Sequence, residues 1–133
     1  MKLLMQFYED WREDPDAPPV GTVVCAIADL ADACPRVFVF GRRWNALEII
    51  VVRDGNEVHA YLNRCAHQAL PLNLGRSIRT TAERLLLCDH HAAAFRIRDG
   101  FCVDGVCHGA SLIAIPIAQA NGSVLIAEPV DLR

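Results

Sequence analysis

Long hydrophobic runs are missing from this chain. No stretch approaches the roughly 20 consecutive apolar residues of a membrane-spanning helix. The opening Met1-Lys2-Leu3-Leu4-Met5-Gln6-Phe7 is broken by Tyr8-Glu9-Asp10, too early for the apolar core of a signal peptide. A cytoplasmic protein that does not enter the membrane is therefore expected. Strong charge of one sign is missing as well. A formal net charge of −3 over 133 residues gives no footing for nucleic acid or an anionic lipid surface. No glycine-rich phosphate loop, nucleophile elbow or separate 2-His-1-carboxylate pattern occurs, so no catalytic residues are assigned. Internal repeats and low-complexity segments are absent, and no strong helical periodicity appears in the middle of the chain.

What is present is an ordinary globular composition, 53 % hydrophobic and 22 % charged. The length suits one domain that can bury a real core. Residues 1–19 are acidic and proline-rich and are expected to form an N-terminal arm, with a short helix permitted over Leu3–Trp11. From residue 20 to 133, short apolar runs alternate with turn residues. Strands are predicted at Thr22–Ile27, Arg36–Phe40, Leu47–Val52, Val58–Leu62, Arg84–Leu87, Ala94–Ile97, Leu112–Ile115 and Ser123–Ile126. Asp54-Gly55-Asn56 predicts a hairpin, and Asp99-Gly100 and Asn121-Gly122 predict further turns. The pattern is that of an all-β antiparallel sandwich or barrel.

Six cysteines raise the question of disulfides, but without a secretory signal a Cys/His set favours metal. Cys25 and Cys34 lie in or beside apolar runs and are expected to be plain buried thiols. Two clusters stand apart: Cys65-Ala66-His67 and, after a gap of twenty residues, Cys88-Asp89-His90-His91. Each follows a predicted strand, so two loops at one end of a sheet could present one thiolate and one imidazole each to a single centre. Two Cys on one iron and two His on the other is the donor set of a Rieske-type [2Fe–2S] centre, a one-electron carrier. A zinc site is the rival. The usual zinc spacing pairs Cys with Cys and His with His, whereas here each half pairs one Cys with one His.

On these residues the chain resembles a Rieske-type ferredoxin or Rieske domain, over about Gly21 to Pro129. Ala60-Tyr61-Leu62-Asn63-Arg64-Cys65-Ala66-His67, followed by Leu70-Pro71-Leu72, is similar to the family's first ligand loop. Cys88-Asp89-His90-His91-Ala92-Ala93-Ala94-Phe95 is similar to the second. Asp99 to Cys107 resembles a glycine- and cysteine-bearing turn of a subset of the family, and Ser111 to Ile117 the strand after it. The resemblance implies a Rieske-type antiparallel β sandwich with a small cluster-binding subdomain at about residues 62–100. It implies one [2Fe–2S] cluster, with Cys65 and Cys88 on the inner iron and His67 and His91 on the outer.

Three departures from the family pattern stand out. The connection through Arg76–Glu83 is long. Ala92 replaces a usual glycine, which would cost about 1 kcal/mol if that position needs positive φ. His90 adjoins His91; the C-x-x-H spacing selects His91. High-potential members carry an inter-loop disulfide, but the corresponding residues are Leu70 and His90. Those members also place Ser and Tyr where this chain has Ala93 and Phe95, so two hydroxyl donors to sulfur are missing. Fewer donors leave the reduced state less stabilised, which implies a potential at the low end of the Rieske range. For Cys102 and Cys107 three readings stay open: free thiols in a turn, a local disulfide, or a second metal site with His108.

The expected function is a non-catalytic electron-transfer component. It would pass single electrons from an NAD(P)H-linked flavoprotein reductase to an oxygenase. An oxygenase α subunit would need a further domain for its mononuclear iron. The alternative is a small accessory subunit of a larger reductase, resembling the small subunit of assimilatory nitrite reductase and docking on that enzyme's large subunit.

Overall fold

The computed structural model describes residues 10–42, 46–66, 70–73, 77–89 and 93–129. Among the described residues nine strands run in chain order: β1 Val23–Ala26, β2 Arg36–Phe40, β3 Leu47–Asp54, β4 Glu57–Leu62, β5 Leu85–Leu87, β6 Ala94–Arg96, β7 Cys102–Asp104, β8 Ile117–Ala120 and β9 Ser123–Ile126. They form three antiparallel three-stranded sheets, ordered β1-β9-β8, β2-β3-β4 and β5-β6-β7. Among the described residues there is no α-helix, only single 3-10 turns at Trp11–Glu13 and Ile27–Asp29. The expected all-β antiparallel fold is the fold the chain adopts.

The middle sheet organises the molecule because β3 is buried on both faces. Its near-continuous apolar run, Leu47-Glu48-Ile49-Ile50-Val51-Val52, leaves no solvent face. Side chains alternate across the pleat. Ile50, Val52 and the cross-strand Tyr61 face one core, shared with Leu86, Phe95 and Cys102 of β5-β6-β7. Ile49, Val51, Ala60 and Leu62 face the other, shared with Val124 and Ile126 of β9. Trp11 is buried in this second core, so the chain from residue 10 onward packs on the domain. The predicted helix over Leu3–Trp11 lies largely outside the described residues.

The turn chemistry explains the hairpins. Asp54 pairs with Glu57 across the two-residue turn Gly55-Asn56. Asn121 and Gly122 both take positive φ, 53° and 77°, joining Ala120 to Ser123 as a primed turn requires.

Four sequence expectations need correction. Leu112–Ile115 is not a strand. It crosses from one sheet to the other, making single bridges at Ser111–Phe101 and Ala114–Tyr61, with Leu112 in one core and Ile115 in the other. Pro116, lacking an N–H, ends it. β8 was missed because Ile117-Ala118-Gln119-Ala120 is mostly exposed and has little apolar pattern. β7 was missed because it has only three residues, spanning Cys102–Asp104. Cys34 is exposed and Cys25 half-buried, so neither is the fully buried thiol expected. The long connection expected before β5 packs on the domain over its described part. Ile78 is buried, Thr80 bridges Leu86, and the Leu87 N–H donates to the Arg79 carbonyl at 3.0 Å.

Candidate metal centre

Two loops emerge at the same end of the middle and third sheets. The first leaves β4 at Leu62, and the second leaves β5 at Leu87. Both close by the same device. The Cys65 N–H donates to the Leu70 carbonyl at 2.7 Å, and the Cys88 N–H donates to the Ala93 carbonyl at 2.9 Å. Each cysteine thus sits at the mouth of a loop closed to a residue five positions on. The loops are then tied together: the Asp89 N–H donates to the Leu72 carbonyl at 2.7 Å. His67, His90, His91 and Ala92 lie outside the described residues.

Cys65 and Cys88 are 4 % and 0 % exposed and belong to one core with Leu72, Ala93 and Phe95. Thiolates are the protein ligands of iron–sulfur clusters. Two buried thiols on loops tied to each other therefore fit two of the four donors such a centre needs. Ala93 and Phe95 are both fully buried beside them, and neither side chain carries a hydrogen-bond donor.

Asn63 is the positioning residue that sequence reasoning passed over. It is buried just after β4. Its amide nitrogen donates to Glu48 Oε1 at 3.0 Å and to Asn73 Oδ1 at 2.9 Å, and its amide oxygen accepts from the Leu72 N–H at 2.9 Å. One side chain thus fixes both ends of the first loop. The sequence shows only an Asn two residues before Cys65; the fold buries it, and a buried amide must find partners. On the second loop, the buried Asp89 carboxylate accepts from the Arg79 Nε at 3.0 Å.

Arg64, beside Cys65, is half-buried, and burial lowers its pKa, with Asp14 opposing that shift. Behind the loops, Cys102 and Cys107 are both buried free thiols with their Sγ atoms 3.0 Å apart. Burial, the Cys102 partner and nearby Cys65 push the Cys107 thiol up to about 12.

Comparison with known proteins agrees with this architecture. The family model described as the Rieske [2Fe-2S] domain matches residues 21–118. The chain is 32 % identical over 105 residues, 77 % of each chain, to the ferredoxin component of the alkene monooxygenase system of Xanthobacter autotrophicus (strain ATCC BAA-1158 / Py2). Among solved structures, the ferredoxin of carbazole 1,9a-dioxygenase from Nocardioides aromaticivorans IC177 superposes with a TM-score of 0.64 at 23 % identity, covering 84 % of this chain and 100 % of that one. The terminal oxygenase of carbazole 1,9a-dioxygenase from Novosphingobium sp. KA1 superposes with a TM-score of 0.67 at 24 % identity, over 84 % of this chain and 31 % of that one. The fold thus occurs both as a whole small protein and as part of a larger one. With the family match spanning most of its length, this chain belongs to the Rieske [2Fe-2S] domain family, whose domain holds one [2Fe–2S] cluster.

Proposed function

We propose that the protein is a small electron carrier that takes single electrons from an NAD(P)H-linked flavoprotein reductase and delivers them to an oxygenase in the cytoplasm. Cys65 and Cys88 serve as the thiolate ligands, and His67 and His91 as the imidazole ligands. Residues 62–100 form the cluster-binding subdomain. When bound, the cluster supplies reversible one-electron chemistry at a potential set by its surroundings.

The observation that carries this reading is the Asp89–Leu72 tie, which holds the Cys65 and Cys88 loops together over one buried core. A rigid pair of loops suits a carrier, because ligands that barely move keep reorganisation small on gaining or losing an electron. The low potential follows from Ala93 and Phe95. Both are buried in the core that contains Cys65 and Cys88 and offer no hydroxyl, so the more negative reduced state receives no donor from them. The relative from the alkene monooxygenase system, a ferredoxin at 32 % identity, supports the carrier reading over the accessory-subunit alternative.

The test is a reconstituted chain of NADH, a flavoprotein ferredoxin reductase and an oxygenase component, with this protein as the only link. Substrate-coupled NADH oxidation that depends on this protein is expected. Reduction that never passes on to any oxygenase, together with stable co-purification on a large reductase subunit, would favour the accessory role instead.

A further inference from the structure

Between β7 and the crossing segment, the chain folds back on itself in a turn that the proposed electron transfer leaves unexplained. The Cys102 N–H donates to the Ala110 carbonyl at 2.8 Å, the Ala110 N–H to the Cys107 carbonyl at 2.9 Å, and the Gly109 N–H to the Cys102 carbonyl at 3.2 Å. These bonds place the two thiols face to face, Sγ to Sγ at 3.0 Å, about 1 Å beyond a covalent S–S bond. The turn's tip also presses on the second loop. Gly105 has a φ of +98°, and a Cβ there would lie 2.7 Å from the Ala93 Cα, so the tip touches the residue that closes the Cys88 loop. On the other side the turn meets solvent, with Val106 62 % exposed.

We infer that Cys102 and Cys107 are a redox-modification site: a dithiol that closes reversibly to a disulfide and clips this turn against the second ligand loop. The co-reactant is a low-molecular-weight disulfide. The thiolate of one cysteine attacks a sulfur of that disulfide, forming a mixed disulfide and releasing one small thiol. The second cysteine then attacks the protein-bound sulfur, the intramolecular S–S bond forms and the second small thiol leaves. The two cysteines lose two electrons and two protons, and the small disulfide gains both. Excess small dithiol reverses the step. Exchange requires thiolate, so closure is favoured by alkaline pH.

The sequence makes the test clean. No Lys or Arg lies between Arg98 and Arg133, so trypsin releases residues 99–133 as one peptide whose cysteines are Cys102 and Cys107 alone. Intact holoprotein is incubated with oxidised glutathione at alkaline pH, quenched with acid, alkylated, digested and weighed. The expected peptide is about 2 Da lighter than the dithiol form, unalkylated at both cysteines, and restored by dithiothreitol. Oxidised protein should also lose its visible cluster band to a chelator more slowly than reduced protein, and the Cys34→Ser variant should behave as wild type in both assays. A peptide that stays fully alkylated, carries glutathione on either cysteine at the end point, or is cross-linked to the Cys65 or Cys88 peptide would overturn the inference. Equal rates of cluster loss would overturn the clip. The mass readout does not depend on which residues ligate the cluster, so its failure is separable from failure of the ligand assignment.

Discussion

The Asp89 N–H donates to the Leu72 carbonyl at 2.7 Å, and through this bond the loop that begins at Cys88 is held to the loop that begins at Cys65. Leu72 is held in turn by Asn63, whose side-chain oxygen accepts the Leu72 N–H. Ligand geometry therefore depends on a buried amide that is not itself a ligand. Asn63→Leu removes that acceptor and leaves the buried Leu72 N–H and Glu48 carboxylate short of partners. A loss of about 1–3 kcal/mol in unfolding free energy is expected by denaturant titration. A lowered iron content per chain should accompany it. An Asn63→Leu protein with wild-type stability and full iron would show that the amide is incidental.

The potential should respond to hydroxyls placed against the thiols. Wild-type protein should have a midpoint near the low end of the Rieske range, about −150 mV, and not above about 0 mV. Ala93→Ser and Phe95→Tyr each introduce a donor at a fully buried position in the core that contains Cys88. Each should raise the midpoint by an amount on the order of tens of mV, and the double variant by more. Redox titration in a thin-layer cell reads both values. A wild-type midpoint near +250 mV would mean that some other donor tunes the cluster.

Stability should fall at both ends of the pH range, for identifiable reasons. The Arg84 guanidinium and then the Gly55 N–H hold the Asp32 carboxyl well below its usual range, and Arg96 lowers Asp99. A depressed folded-state pKa stabilises above the unfolded value of about 3.9, and that contribution is lost as pH falls below it. Tyr61 behaves in the opposite sense. Burial first, then Asp99 and Asp54, raise its pKa, while its hydroxyl donates to the Ile97 carbonyl at 2.5 Å. Unfolded tyrosine ionises near pH 10, so stability should decline as pH rises beyond about 10. Thermal melts from pH 3 to 11 check both limits. Asp32→Asn should flatten the acid limb and leave the alkaline limb unchanged.

Much of this was legible in the sequence because local signals agreed with the fold. The apolar run Leu47–Val52 and the turn residues Gly55 and Asn121-Gly122 fix the central strands and two hairpins. The Cys65 and Cys88 clusters stand out because each directly follows a strand. What could not be read is long-range. The Asp89–Leu72 bond is backbone to backbone and leaves no residue signature. Asn63 acts through Glu48, fifteen positions away. Leu112–Ile115 has the composition of a strand but serves two cores in succession, which no periodicity of one strand encodes. The role of Trp11 as part of a core was hidden by the acidic, proline-rich segment around it.

Partner docking should be sensitive to ionic strength. Arg79 is half-exposed beside the second loop, where its charge pairs with Asp89, and Arg64 beside Cys65 is half-buried with part of its charge still open to solvent. Exposed charges are screened over about 8 Å at physiological salt. The bimolecular rate of electron transfer to an oxygenase component should therefore fall as salt is raised from low to high, chiefly through association. Stopped-flow rates unchanged over that range would point to apolar docking around Leu70.

The most direct test of the ligand assignment is electron–nuclear double resonance on protein grown with ¹⁵N-histidine and reduced with dithionite. Two strongly coupled histidine nitrogens are predicted, from His67 and His91, with one coupling lost in His91→Ala and both retained in His90→Ala. Four buried cysteines share one core here, Cys65, Cys88, Cys102 and Cys107, so ligation by thiolates alone is the concrete alternative. A reduced iron–sulfur signal with no histidine coupling would contradict the account.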